Sequence, residues 1–157
     1  MPSIRFRLFG ALALAAAVSL LSLAPQHARA EIDPKSISIV PFDKLDFTGQ
    51  EGRAQIATVF GDSTKPGMYG IVIKWPPHTF SRPHSHPNDR FVTVLSGTWW
   101  INTGAKFNSD TMMPMKPGAF VIHHAGEIHY DGTKDEPAMI YIVGMGPATS
   151  TPAEEKK

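Results

Sequence analysis

The histidines of this chain are concentrated in one stretch of the sequence. Six of the seven lie between His78 and His129. His84 and His86 are two residues apart, so on an extended strand both imidazoles project from the same face. His129 follows a glycine-containing turn about forty residues later. Because imidazole is the commonest neutral metal ligand, we predict that His84, His86 and His129 hold one divalent metal ion and leave coordination positions open, as in catalytic sites.

Several points stay open at this stage. The three histidines could form a hydrogen-bonded cluster without a metal, and the spacing does not decide between iron, zinc and manganese. The adjacent residues His123 and His124 alternate faces on a regular strand, so at most one of them points into the pocket. We take His124 as the candidate for proton transfer.

The elements that must position these histidines are short strands. Glycine and proline recur about every eight to twelve residues, and the runs between them are rich in β-branched and aromatic residues. This pattern is typical of an all-β sandwich or barrel. The predicted strands are Ile37–Phe42, Ala54–Phe60, Met68–Trp75, Phe91–Leu95, Thr98–Asn102, Ala119–His123 and Ala138–Val143.

Two stretches of the sequence resemble the motifs of the cupin superfamily. The first motif, G-x5-H-x-H-x3/4-E-x6-G, is matched by HTFSRPHSHPNDRFVTVLSG over residues 78–97. The second, G-x5-P-x-G-x2-H-x3-N, is matched by GAFVIHHAGEIHYDGT over residues 118–133. The resemblance implies an all-β fold, the cupin double-stranded β-helix or jelly-roll barrel, and it carries the metal-ligand role onto His84, His86 and His129 only.

The chain departs from the motif at the usual metal-binding glutamate, where it has Arg90. A guanidinium stays charged and cannot ligate a metal. At about 6 Å from a divalent ion it would be repelled by roughly 5 kcal/mol at an effective dielectric constant of about 20. An anionic ligand could bridge the metal and Arg90, an acid such as Asp89 could neutralise Arg90, or Arg90 could point to solvent.

The resemblance implies a function at this site. Some cupin oxygenases bind iron with three histidines and no glutamate, so we expect a metal-binding cupin that binds or acts on a small anionic molecule, with dioxygenase-type oxidoreductase chemistry as one form. Arg90 would hold the anion and His124 would move a proton. The alternative is a non-catalytic metal-binding or small-ligand-binding cupin, such as a sensor similar to the ChrR-like cupin domains.

The N-terminal thirty residues are typical of an export signal. Arg5 and Arg7 precede an uncharged apolar run, and the sequence Ala-Arg-Ala ends at residue 30, which fits the small-x-small cleavage rule. We therefore predict a signal peptide over residues 1–30, one cupin domain over residues 31–146 and a disordered polar tail over residues 147–157. The expected location is periplasmic or secreted, and an uncleaved membrane anchor is the alternative.

Cleavage would also change the charge of the chain. Removing Arg5, Arg7 and Arg29 leaves 12 basic and 14 acidic side chains, a net charge of −2. We therefore expect a small-molecule ligand and no nucleic-acid partner, and no stable membrane insertion after cleavage. The absence of cysteine excludes disulfide and thiol chemistry. Short cupins often dimerise through N-terminal strands, and Ile37–Phe42 could pair in this way to form a homodimer.

Overall fold

The computed structural model describes residues 32–154. Their regular elements are strands, together with two single-turn 3-10 helices at Phe42–Lys44 and Ser109–Thr111. The all-β prediction is therefore confirmed. The ten strands are β1 Gln55–Phe60, β2 Gly67–Trp75, β3 His84–Ser85, β4 Arg90–Ser96, β5 Trp99–Thr103, β6 Met113–Met115, β7 Phe120–His123, β8 His129–Gly132, β9 Ala138–Gly146 and β10 Thr151–Pro152.

The strands form two five-stranded antiparallel sheets. The first has the order β1-β2-β9-β4-β7, and the second has the order β10-β3-β8-β5-β6. Six of the predicted strands correspond to β1, β2, β4, β5, β7 and β9. The strand predicted at Ile37–Phe42 is wrong, because residues 37–41 have no strand pairing among the described residues and Phe42 begins a 3-10 turn. The homodimer suggested through that segment stays a prediction.

The hydrophobic core contains the inward-facing side chains of the first sheet and Trp99 from the second. Along β9 burial alternates residue by residue, so that Ile140 and Ile142 are buried while Tyr141 and Val143 are half-buried. This is the period of two that a sheet with one buried face requires. Val94 and Trp99 belong to the same core cluster. The core thus packs the inner face of the first sheet against Trp99 of the second sheet, which carries the histidines.

The turn between β4 and β5 requires a glycine at Gly97, the last glycine of the first motif. Gly97 has a φ of 69°, in the left-handed region that glycine adopts most readily. A Cβ atom at this position would overlap the carbonyl oxygen of Pro137. The turn therefore requires glycine both for its backbone angle and for its close approach to the neighbouring chain segment.

The C-terminal segment corrects one prediction. Residues 147–154, expected to be disordered, contact the barrel: β10 pairs with β3, and the backbone nitrogen of Ala148 donates to the oxygen of Ser63 at 2.7 Å. Backbone hydrogen bonds need no apolar side chains, so the polar composition gave no sign of this pairing. Residues 155–157 and the predicted signal peptide, residues 1–30, lie outside the described residues.

The remaining N-terminal residues belong to a separate unit. The chain divides into residues 1–37 and residues 38–157, and of the first unit the structure describes residues 32–37. These contain a turn in which the backbone nitrogens of Ser36 and Ile37 donate to the oxygen of Asp33 at 3.0 and 3.1 Å. Across residues 32–154, no helix is long and apolar enough to cross a membrane.

Candidate metal centre

The second sheet brings the three predicted ligands together. His84 lies in β3 opposite His129 in β8, and His86 follows directly after β3. One ring nitrogen from each of the three residues lies within 4.8 Å of the others. The Nε2 atoms of His84 and His86 are 3.1 Å apart. The convergence predicted from the spacing of His84 and His86 and from the second motif is therefore present in the structure.

The second nitrogen of each ring faces a backbone carbonyl. The Nδ1 atoms of His84, His86 and His129 lie 2.7, 2.8 and 3.1 Å from the oxygens of Arg82, Thr149 and Glu127. A carbonyl can only accept, so these partners assign the proton to Nδ1 in all three rings. This is the outer-sphere arrangement that orients metal-binding histidines. The Nε2 lone pairs of His84 and His86 therefore face each other without a proton between them.

A divalent ion fits this donor set. At a metal–nitrogen distance of about 2.05 Å, nitrogens 3.1 Å apart subtend an angle of roughly 100°, close to tetrahedral geometry. The Nε2 atom of His129 is buried and has no hydrogen-bond partner among residues 32–154. Buried polar atoms in proteins nearly always have a partner. A cation that binds all three Nε2 atoms would give the buried nitrogen of His129 the partner it lacks.

Burial favours the neutral form of two of the three imidazoles, His86 and His129. Desolvation, with a further contribution from the Arg90 charge, lowers the pKa of His86 to about 4. Desolvation also lowers the pKa of His129, although the hydrogen bond with Glu127 acts in the opposite direction. A metal competes with protons for the same nitrogen, so a neutral ring at pH 7 is ready to bind one.

Arg90 points into the site. It is the first residue of β4, and its Nη1 donates to the Nε2 of His86 at 2.5 Å. None of the ion pairs within residues 32–154 involves Arg90. Asp89 does not neutralise it, since one carboxylate oxygen of Asp89 accepts from the backbone nitrogen of Ala125 at 2.8 Å and the other lies 3.9 Å from His124. Of the three outcomes left open by the sequence, an inward Arg90 that requires an anion agrees best with these contacts.

The structure corrects the role predicted for His124. Its side chain is 69% exposed and lies beside Asp89, outside the histidine cluster. Alternation along β7 puts Val121 and His123 on the inner side and His124, just past the end of the strand, on the outer side. Sequence alone limited the pair to one inward residue but could not tell which one, because that depends on the register of β7 with β4. His124 therefore has no contact through which to transfer a proton at the site.

His123 is the inward histidine. It lies opposite Arg90 in the β4–β7 pairing, and its ring stacks on that of His129 with centroids 3.7 Å apart. Burial, with smaller contributions from the neighbouring histidines and Arg90, lowers the pKa of His123 to about 2. His123 therefore packs against the His129 ring, and it is not among the three residues whose ring nitrogens converge.

A cavity of about 270 Å³ opens beside the cluster. Its walls are largely apolar and include Ile71, Ile73 and Ile142, whereas its polar residues include Arg90 and the first two histidines. This combination of an apolar body and a few convergent polar groups is typical of a small-molecule site.

Sequence analysis missed two further polar residues of the cavity, Ser81 and Asp131. Asp131 is buried in β8, and the Ser81 hydroxyl donates to its carboxylate at 2.5 Å. An Asp-Gly pair usually signals a turn, yet Asp131 and Gly132 both lie in β8. The signal that could have found Asp131 is its position two residues after His129, which places both side chains on one face of a strand.

Comparison with known proteins bears on the fold. No protein-family model matches the chain, and no curated protein sequence matches it. Among solved structures, the chain resembles a conserved protein with a double-stranded β-helix domain from Klebsiella pneumoniae, at 22% identity and a TM-score of 0.58 over 74% of this chain and 97% of that one. It also resembles the polyketide cyclase RemF from Streptomyces resistomycificus, at 13% identity and a TM-score of 0.62 over 77% and 88% of the two chains.

A third solved structure carries the superfamily name. It is a sugar phosphate isomerase of the cupin superfamily from Silicibacter pomeroyi, at 19% identity and a TM-score of 0.53 over 72% of this chain and 78% of that one. Likeness at such identities establishes a shared fold and leaves the activity open. The two antiparallel sheets around one core and the likeness to these three structures show that this chain has a double-stranded β-helix fold.

Proposed function

We propose that this chain is an exported cupin that holds one divalent metal ion on His84, His86 and His129 and binds or acts on a small anionic molecule. The observation that carries the proposal is the orientation of the three rings. Each imidazole presents Nδ1 to a backbone carbonyl, and the Nε2 atoms of His84 and His86 approach each other to 3.1 Å. The Arg90 guanidinium donates to the Nε2 of His86, and an ion bound by the three rings would take that lone pair and leave Arg90 free to hold an anion.

The proposed ligand is anionic because the site is cationic. A divalent ion and Arg90 would together bring three positive charges to one end of the cavity, and the three neutral histidines supply no compensating negative charge. Asp131 lines the same cavity, but one carboxylate offsets only one of these three positive charges. A carboxylate or enolate that reaches both the metal and Arg90 relieves the repulsion, and the apolar walls accept the rest of a small molecule.

The bound ion would supply Lewis acidity to an oxygen of that molecule. The chain's own residues orient it: Arg90 fixes the anionic group, and the isoleucines of the cavity exclude water from it. The polyketide cyclase and the sugar phosphate isomerase that share the fold favour such chemistry over oxidation. Dioxygenase-type oxidation remains a proposal that needs iron in the site, and a non-catalytic binding protein is the alternative if the site holds metal without turnover.

Metal content tests the proposal. The chain should be purified without a histidine tag, and its intact mass should show cleavage after Ala30 if it is exported as proposed. We expect about one zinc, iron or manganese ion per chain by elemental analysis. His84→Ala should lose the ion because two imidazoles hold a divalent metal far more weakly than three. His124→Ala is the matched control, and it should retain full metal content because His124 lies outside the cluster.

Two results would contradict the proposal. One is a wild-type chain that takes up no stoichiometric metal after reconstitution with zinc, iron and manganese. The other is a His84→Ala variant with the same metal content as His124→Ala.

A further inference from the structure

The strand that carries His84 and leads directly into His86 is unusually short. β3 consists of His84 and Ser85, and it lies between β8 and β10 in the second sheet. The pairing with β8 joins His84 to His129. On its other side β3 depends on β10, where Thr151 lies opposite Ser85 and Pro152 lies opposite His84. A strand of this length has few hydrogen bonds of its own, so its neighbours decide where its histidines lie.

The segment of residues 147–154, which we name the C-terminal strap, makes further contacts on both sides of β3. The backbone nitrogen of Ala153 donates to the oxygen of Pro83 at 2.9 Å. Arg82 and Glu154 form a two-point ion pair, with a distance of 2.9 Å between Arg82 Nε and Glu154 Oε2. The strap is therefore fastened immediately before the first histidine of β3.

The strap also contacts the second histidine directly. The carbonyl oxygen of Thr149 accepts from the Nδ1 of His86 at 2.8 Å. One residue earlier, Ala148 packs against the core and lines the cavity beside the cluster. Arg82 lies two residues before His84, and Glu127 lies two residues before His129. Thr149, in contrast, is 63 residues from His86 in sequence. Only the partner of His86 comes from a distant part of the chain.

The geometry points to the C-terminal strap as a positioning element of the metal site. Its Thr149 carbonyl holds the proton of His86 on Nδ1 and so presents Nε2 to the ion, while β10 keeps β3 in register with β8. This inference rests on the proposed function, because it concerns the same three histidines. The inference gives the C-terminal strap a role in metal binding. The polar, proline-containing sequence of the strap does not indicate this role.

Truncation tests the inference with a matched pair of chains. A chain ending at Gly146 lacks the whole strap, and a chain ending at Glu154 lacks only residues 155–157. We expect the first to bind zinc about 10–100-fold more weakly than the full chain, the range found when outer-sphere partners of metal ligands are removed. The second should bind zinc as tightly as the full chain. Affinity is measured by competition with a chromophoric chelator, and circular dichroism confirms that each chain is folded.

Nuclear magnetic resonance of the imidazole nitrogens in metal-free protein separates positioning from simple stabilisation. Both chains carry Arg90→Ala for this measurement, because the Arg90 guanidinium donates to His86 Nε2 and would by itself keep the proton on Nδ1. In the full-length variant the His86 proton should reside on Nδ1, and in the variant ending at Gly146 it should redistribute toward Nε2. A full-length variant with the His86 proton on Nε2 would overturn the inference. So would a folded chain ending at Gly146 that binds zinc as tightly as the full chain.

A point variant decides the matter if the shorter chain does not fold. Ala153→Pro removes the nitrogen that donates to Pro83, and Ala153→Ser keeps it. We expect zinc affinity to fall several-fold in the proline variant only, and equal affinities would overturn the inference. Failure of the full chain to bind zinc would instead contradict the proposed function, while the protonation of His86 in metal-free protein would still test the role of the strap.

Discussion

Arg90 is the residue that sets this site apart from the motif it resembles. Cupins usually have a metal-binding glutamate at this position, and here a guanidinium donates to the Nε2 of His86 instead. A glutamate would lower the charge of a metal site by one, whereas Arg90 raises it by one. The site therefore has three neutral ligands, one fixed cation and a need for an anion from outside the chain.

Arg90→Glu should strengthen metal binding. The substitution removes a charge that repels the ion and introduces a carboxylate that can ligate it, so we expect zinc affinity to rise by about tenfold or more. Calorimetric titration of zinc into the metal-free chain measures the change. Arg53→Glu is the control, because Arg53 is exposed and outside the cluster. Equal affinities in the two variants would show that Arg90 does not influence the ion.

The ligand residues were predictable and their surroundings were not. A spacing of two on an extended strand fixes the common face of His84 and His86, and the second motif supplied His129. Whether His123 or His124 faces inward depends on the register of β7 with β4, which is a tertiary property. Asp131 was hidden because an Asp-Gly pair usually signals a turn, yet the pair lies in a buried strand.

At the level of elements, length decided which strands the sequence revealed. β2 and β9 span nine residues each and are rich in β-branched and aromatic residues, a composition that predicts strands, although burial alternates regularly only along β9. β3 and β10 have two residues each, too few to show a period, and backbone hydrogen bonds hold them together. β8 is buried along its whole length, so it has no alternation to read. The run at residues 37–42 has the composition of a strand but pairs with no other described segment.

The two-residue strands are the ones that matter for the site. β3 carries His84 and leads into His86, and β10 pairs with it from the C-terminal strap. The first sheet contributes Arg90 from β4 and His123 from β7 to the site. Sequence patterning thus identifies the scaffold, and the connections that complete the metal centre depend on tertiary pairing.

For the molecule as a whole, the buried histidines link folding to pH. His86 and His123 have folded-state pKa values of about 4 and about 2, while an unperturbed histidine titrates near 6.5. Between about pH 4 and 6.5 the unfolded chain therefore binds more protons than the folded one. The resulting stability is fully present above about pH 6.5 and is lost as the pH falls.

We expect the free energy of unfolding of the metal-free chain to fall by up to about 1.4 kcal/mol per pH unit for each of these two histidines between pH 6 and 4. Denaturant unfolding in the presence of EDTA measures this slope. His123→Gln should reduce the slope by the contribution of one proton. A slope in His123→Gln equal to that of the wild-type chain would contradict the buried, neutral state of His123.

The central claim is that three imidazoles distant in sequence bind one ion, and X-ray absorption spectroscopy of the zinc-loaded chain tests it most directly. The account predicts three imidazole nitrogens at about 2.0–2.1 Å from zinc, with one imidazole fewer in His129→Ala. A wild-type spectrum with two or fewer imidazoles that is unchanged in His129→Ala would contradict it.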